Sequence, residues 1–133
     1  MALQFSVLVR NAMLDAIENT IGTGAVMRIF SGAPPASCAT ADSGSILAEL
    51  TLPSDWMAAA AAGVKSLSGT WEDSSANADG TAGHFRVYDS GITTCHMQGV
   101  VAASGQDLNV SNTSFATGQP FSVTQFDITA GNA

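Results

Sequence analysis

Residues 45–53, SILAELTLP, carry the clearest strand pattern in the chain. Apolar and polar residues alternate along it: one side carries Ile46, Ala48, Leu50 and Leu52, and the other carries Glu49 and Thr51. Alternation with a period of two is typical of a half-buried β-strand, and a proline such as Pro53 ends a strand because it has no N–H to donate. This stretch predicts a strand with one face on a hydrophobic core.

Other short strand-like segments lie on both sides of that stretch. They are residues 25–32, 64–71, 83–90, 93–103, 107–114 and 120–129. Short strands separated by polar turns indicate an antiparallel arrangement. We therefore predict a mainly β protein, an antiparallel β-sandwich or jelly-roll-like barrel with one N-terminal amphipathic α-helix.

Two of these segments predict which side chains face the core. In 83–90, GHFRVYDS, the inward residues are expected to be Phe85 and Val87, and the other face carries His84, Arg86 and Tyr88. In 120–129, PFSVTQFDIT, the apolar residues change parity near Gln125. Such a slip predicts a bulge, or a strand that changes which face is covered.

The N-terminal segment predicts the one good helix. A stripe of apolar residues recurs three and four positions apart: Val9, Met13, Ala16, Ile17 and Ile21. Such a stripe suits docking on a sheet or on a neighbouring chain, and we expect it to dock on the sheet of the same chain. The chain is predicted to be a single domain over 1–133, with an extended arm at 1–6, the helix at 7–22 and the β-sandwich at 25–130. Residues 33–44 are predicted to be a loop, and the alanine run 58–62 a tight crossing or a small helix.

Composition excludes several classes of function. Among 133 residues the net charge is −7, with four bases: Arg10, Arg28, Lys65 and Arg86. So few cations cannot neutralise a row of phosphates, and neither nucleic acid nor an anionic membrane is an expected partner.

The N-terminus lacks the basic start of a signal peptide, which predicts synthesis in a reducing cytoplasm. Cys38 and Cys95 are therefore expected to be free thiols rather than a disulfide.

Motifs that carry catalysis or bind cofactors are missing from the sequence. It contains no G-x-S-x-G, P-loop, H-E-x-x-H or C-x-x-C pattern. Asp73, Asn77 and Asp79 resemble the start of a calcium loop, but Arg86 occupies the position where the loop needs a glutamate. We therefore predict a protein that is not an enzyme and has no cofactor and no metal site.

The surface composition favours a role in assembly. Serine, threonine, asparagine, glycine and alanine dominate the outward positions, and such short side chains lose little entropy when a contact immobilises them. The candidate residues for contacts between subunits are the large apolar side chains of Leu3, Phe5, Trp56 and Met57.

Long stretches of the chain resemble a family of small structural proteins from tailed bacteriophages and prophages. The matching stretches are ALQFSVLVRNAMLDAIENTIG (2–22), RIFSGAPPASCATADSGSILAELTLPSDWM (28–57), GTAGHFRVYDSGITTCHMQGVV (80–101) and DLNVSNTSFATGQPFSVTQFDITAGNA (107–133). The resemblance implies a virion protein that is made in the cytoplasm of the host bacterium. It supplies no catalytic residues.

Two placements in the particle fit this resemblance. The first is a capsid decoration (cement) protein, an oligomer that binds the major capsid protein and stabilises the assembled shell. The second is a component of the tail or baseplate. A third alternative, outside these placements, is a carbohydrate-binding module at the particle surface that uses Trp56 or Tyr88 as a stacking platform.

Overall fold

A computed structural model describes residues 3–131 of the chain. It contains one α-helix, α1 (Val7–Ile21), followed by strands. The strands are β1 (Val26–Ser31), β2 (Ile46–Thr51), β3 (Val64–Ser66), β4 (Glu72–Asp73), β5 (Gly80–Tyr88), β6 (Cys95–Ala102), β7 (Leu108–Val110), β8 (Ser114–Phe115), β9 (Phe121–Gln125) and β10 (Asp127–Thr129). The predicted fold class, mainly β with one N-terminal helix, is confirmed. Met1 and Ala2 of the predicted arm lie outside the described residues.

The strands form one large curled sheet and one small one. The large sheet has the order β2-β1-β5-β6-β7-β9-β4, with β8 paired to β5, and the small sheet pairs β10 with β3. All pairs are antiparallel except β6 and β7, which run parallel. The curl brings the two edges together: the Glu49 amide donates to the Asp73 carboxylate at 3.3 Å, and the Asn77 amide donates to the Leu47 carbonyl at 2.7 Å. The result is a half-barrel around one core.

Aromatic side chains fill the centre of this half-barrel. The ring of Trp71 lies 5.9 Å from that of Trp56 and 5.5 Å from that of Phe126, and Phe126 meets Phe85 edge-on at 5.7 Å. Tilted and edge-on rings at these separations stabilise a core beyond the apolar area that they bury. Phe85 lies inward as predicted, on the strand that pairs with both β1 and β6.

The sequence made predictions for two irregular segments, the alanine run 58–62 and the strand near Gln125. The alanine run forms no helix; it ends in a tight turn in which Ala61 and Val64 exchange backbone hydrogen bonds, because Ala62 and Gly63 adopt φ values of 53° and 75°. At the other end of the chain, the predicted slip near Gln125 is confirmed. The chain leaves the large sheet at Gln125, buries Phe126, and joins the small sheet as β10.

The face of β5 opposite the core is also buried. His84 and Arg86 lie on that face as predicted, yet both are buried. The loop 33–45 folds over Arg86, whereas His84 stacks on Phe30 and makes a hydrogen bond with the Gly32 carbonyl. The Arg86 guanidinium donates to the carbonyl oxygens of Ser37, Cys38 and Thr40 at 3.2, 3.0 and 2.9 Å. The loop is therefore fastened to the sheet and is not a free surface flap.

Candidate interaction surface

Helix α1 has defined ends. The Ser6 hydroxyl accepts a hydrogen bond from the Val9 amide at 3.3 Å, which satisfies one of the free N–H groups at the start of the helix. At the other end, Gly22 adopts a φ of 88° and its amide donates to the Glu18 carbonyl at 2.8 Å. The helix runs over Val7–Ile21, within one residue of the predicted 7–22.

Polar side chains attach the inner side of this helix to the fold, in addition to the buried apolar side chains of Leu14 and Ile21. The Asn11 and Asp15 side chains accept from the Gly63 and Ala60 amides, each at 2.9 Å, and Glu18 accepts from the Met57 amide at 2.8 Å. These three acceptors lie four and three positions apart, so they share one face of the helix. They satisfy three backbone N–H groups of the segment 57–63, which lies outside the main sheet.

A buried lysine completes the attachment. Lys65 on β3 is 1% exposed, and its ammonium group contacts the Asp15 carboxylate at 2.7 Å, the Ala58 carbonyl at 2.9 Å and Glu18 at 3.5 Å. The hydrogen bond from Lys65 lowers the pKa of Asp15, and the bond from the Ala60 amide lowers it further. Arg10 adds a bond to the Ala130 carbonyl at 3.1 Å. Charged and polar contacts thus hold the helix together with its buried residues Leu14 and Ile21.

Because the polar side faces inward, much of the apolar stripe faces outward. Leu8 is 76% exposed and Met13 is 51% exposed, while Ile21 is buried and Ile17 partly buried. The prediction that the stripe docks on the sheet is therefore wrong for Val9, Met13 and Ala16. The sequence contained the signal that decides this, since Asn11, Asp15 and Glu18 recur as regularly as the apolar residues.

Most of the exposed large apolar residues lie in the arm and on helix α1, and we call this set the N-terminal apolar surface. It comprises the arm and the outer helix side chains: Leu3, Phe5, Val7, Leu8, Val9 and Met13. Beside it lies a shallow groove of about 290 Å³ between the helix and the start of β6. Its lining consists of Met13, Ala16, Ile17, Thr20, Ile21 and His96. The sequence predicts contacts for Leu3 and Phe5. It does not single out Leu8, and it assigns Met13 to the face that docks on the sheet.

The other two predicted contact residues are buried inside the chain. Trp56 and Met57 are 0% and 1% exposed, so their assignment to a subunit contact is corrected. The Trp56 indole donates to the Gly22 carbonyl at 3.2 Å, and the Met57 amide is one of the groups bound by Glu18. Both residues therefore support the helix from beneath.

A second cluster lies under the loop 33–45. Asp42 accepts a hydrogen bond from the Tyr88 hydroxyl at 2.6 Å and contacts the guanidinium of Arg86. Burial works to raise the pKa of Asp42, but the bonds from Tyr88 and Arg86 outweigh it and lower the pKa. Burial and the bond to Asp42 raise the pKa of Tyr88. Neither Tyr88 nor Trp56 is at the surface, so these two rings provide no stacking platform for a sugar.

The acidic residues considered for a metal make other contacts. Asp79 accepts from the Thr117 amide at 2.7 Å, and Asp73 accepts from the Ser75 amide at 3.0 Å. Within residues 3–131, no group of three or more His, Cys, Asp or Glu side chains is placed to hold a metal ion. In the same part of the chain, no helix has the length and apolar character needed to cross a membrane.

Comparison of the chain with known protein families, with curated protein sequences and with solved structures finds no match. The functional argument therefore depends on the residues themselves and on the surface that they form.

Proposed function

We propose that this protein is a structural subunit of a bacteriophage particle, and that it acts as a decoration protein on the assembled capsid. The placement in a phage particle follows the expectation drawn from the sequence, namely a resemblance to small virion proteins. The N-terminal apolar surface supports binding to a neighbour, and it is the observation that carries the proposal. The partners are then the major capsid protein and further copies of this chain.

The physical basis of the proposal is the exposed apolar side of a helix that is already firmly attached. Polar contacts fix the inner side, so Leu8 and Met13 are held at the surface in a defined geometry. Burying one such side chain fully stabilises a contact by roughly 1.5–3 kcal/mol. Clustered exposed apolar residues of this kind mark sites of protein contact more often than scattered ones do.

A decoration protein stabilises the shell by thermodynamic linkage between its own binding and the assembled state. A subunit that binds only the assembled lattice lowers the free energy of that state, and disassembly then requires many modest contacts to be lost together. The segment before the helix favours this placement over the tail or baseplate. Leu3 is 76% exposed, and it precedes the helix on an arm that can extend over an adjacent subunit.

The test of the proposal is the composition and cryo-EM structure of purified particles. Phage is induced from the strain that carries the gene, banded on a density gradient, and assayed by mass spectrometry and imaging. We expect the protein in the particles, with density on the capsid shell. Density on the tail alone would contradict the decoration role, and particles without the protein would refute virion membership.

Substitutions on the helix test whether the N-terminal apolar surface makes the contact. In phage that lacks its own copy, plasmid-borne protein with Leu8→Gln and Met13→Gln should enter particles at least about tenfold less than the unaltered protein. The control carries Ala103→Gln and Ser104→Gln in the exposed bend between β6 and β7, which adds the same side chains elsewhere. Circular dichroism should show that both variants are folded. Equal incorporation of both variants would overturn the assignment of this surface.

A further inference from the structure

The loop 33–45 lies across two neighbouring strands and not only across β5. The Gln98 side chain on β6 donates to the Pro35 carbonyl at 2.7 Å, and Arg86 on β5 donates to the Cys38 carbonyl at 3.0 Å. Gln98 and Arg86 are directly opposite each other in the sheet. The backbone at Cys38 is therefore fixed above the outer face of the β5–β6 pair.

Cys95 lies on the same outer face, at the start of β6. Its partner across the sheet is Tyr88, whose hydroxyl reaches Asp42 in the same loop. Residues opposite each other in a β-ladder project to the same side, so the Cys95 thiol points toward the loop. Its Sγ donates to the Met97 carbonyl at 3.4 Å, and the Cys38 thiol is close enough to contribute to the raised pKa of Cys95. Both cysteines are free and half-buried.

We infer that Cys38 and Cys95 form a reversible disulfide site that fastens the loop 33–45 to β6 when an oxidant is present. The oxidant is a small-molecule disulfide. One protein thiolate attacks it and releases the first small thiol, and the second protein sulfur then displaces the other. Two S–H bonds and the oxidant's S–S bond break, and the protein S–S bond forms. Both protons and both electrons end on the two released thiols.

The surroundings of Cys95 favour its thiol form in the absence of such an oxidant. Burial raises the pKa of Cys95 to about 11, and the contact with Cys38 adds to this rise. A thiol with a raised pKa is a thiolate only rarely at neutral pH, so its exchange is slow. The loop position does not depend on the bond, because the contacts of Arg86 and Gln98 already hold it. The disulfide therefore joins groups that are in place before it forms.

The experiment treats the purified, reduced full-length chain with excess oxidised glutathione and follows it by intact-mass spectrometry. We expect a monomer lighter by two hydrogens, with both free thiols lost and with Cys38 and Cys95 joined in the peptide map. Cross-linking within the chain restricts its unfolded state, so the melting temperature should rise by about 10 °C and return on adding dithiothreitol.

Two variants provide the controls. Cys38→Ser and Cys95→Ser each leave one thiol without its partner, so each should stop at a mixed disulfide with glutathione or remain unmodified. Three results would overturn the inference: stable glutathione adducts on the unaltered chain, covalent dimers on a non-reducing gel, or an intramolecular bond that leaves the melting temperature unchanged or lower.

Discussion

Asp42 joins the loop 33–45 to the sheet through several side-chain contacts at once. One carboxylate binds the Tyr88 hydroxyl and the Arg86 guanidinium, and it lies 3.8 Å from Arg28. All of these partners are donors, and a carboxyl group serves them fully only when it is ionised. The attachment of the loop therefore depends on the charge of this residue.

This dependence predicts a contribution of Asp42 to acid lability. The pKa of Asp42 in the folded chain is below its ordinary value of 3.8, so its ionised form stabilises the fold at neutral pH. That stabilisation is complete above the ordinary pKa and is lost as the pH falls through the lower, folded pKa. We expect Asp42→Asn to lower the free energy of unfolding at pH 7 by about 1 kcal/mol, and to flatten its decline below about pH 4.

Urea unfolding at a series of pH values measures this effect. The matched control is Asp55→Asn, which changes an exposed aspartate in the same way. The control should keep the full acid dependence of the unaltered chain. If Asp42→Asn and the unaltered chain lose stability in parallel below pH 4, the carboxylate does not have the role assigned to it.

At the scale of elements, the sequence predicted what depends on local periodicity. The bounds of α1, the inward face of β5 at Phe85 and the break near Gln125 all follow from spacings of two or of three and four residues. The order of the strands and the parallel pair β6–β7 depend on contacts distant in sequence, which no local pattern contains.

The orientation of the helix shows why part of the candidate surface was missed. An apolar stripe was expected to face the core because burial of apolar area stabilises a fold. The competing polar stripe wins because unpaired backbone amides at Ala60 and Gly63 need acceptors, and Asp15 and Asn11 supply them. Those amides come from a segment whose course the sequence did not reveal. Leu3 and Phe5 were found because they precede every predicted element.

The attachment of α1 yields a second prediction, at Lys65. Replacing this buried cation by Met leaves Asp15 and Glu18 near each other without a counter-charge, so Lys65→Met should destabilise the fold by about 2 kcal/mol. Hydrogen exchange of the helix amides should accelerate more than that of β5. Urea unfolding and exchange monitored by mass spectrometry measure the two effects.

Arg28→Met serves as the control, because it removes a cation from an ion pair that is partly exposed. Arg28 contacts Glu49 at 2.7 Å and lies 3.8 Å from Asp42, with about a fifth of its own side chain accessible. Loss of such a pair reduces stability by less than about 1 kcal/mol. A larger effect at Arg28 than at Lys65, or unchanged exchange in the helix, would contradict the view that Lys65 attaches α1.

At the scale of the whole molecule, the core and the surface proposed for assembly are formed by different residues. The curled sheet closes on itself through Glu49 and Asp73, and Trp56 and Trp71 fill its centre. The N-terminal apolar surface lies outside this core. Folding and assembly should therefore respond to different substitutions, which makes the proposed function testable without unfolding the protein.

Deletion of residues 1–5, with a new initiating methionine, tests that separation. The cut retains Ser6, because its hydroxyl and its carbonyl bind the Val9 and Arg10 amides at the start of the helix. We expect the free energy of unfolding to change by less than about 1 kcal/mol, since Leu3 and Phe5 lie outside the core cluster. Incorporation into particles should fall at least about tenfold, because the lost apolar contacts recur at every copy.

The matched control is Ser6→Ala, which should cost roughly 1 kcal/mol of stability while preserving incorporation. Full incorporation of the shortened chain would exclude the arm from the contact, and an unfolded shortened chain would show that core and arm are not separable.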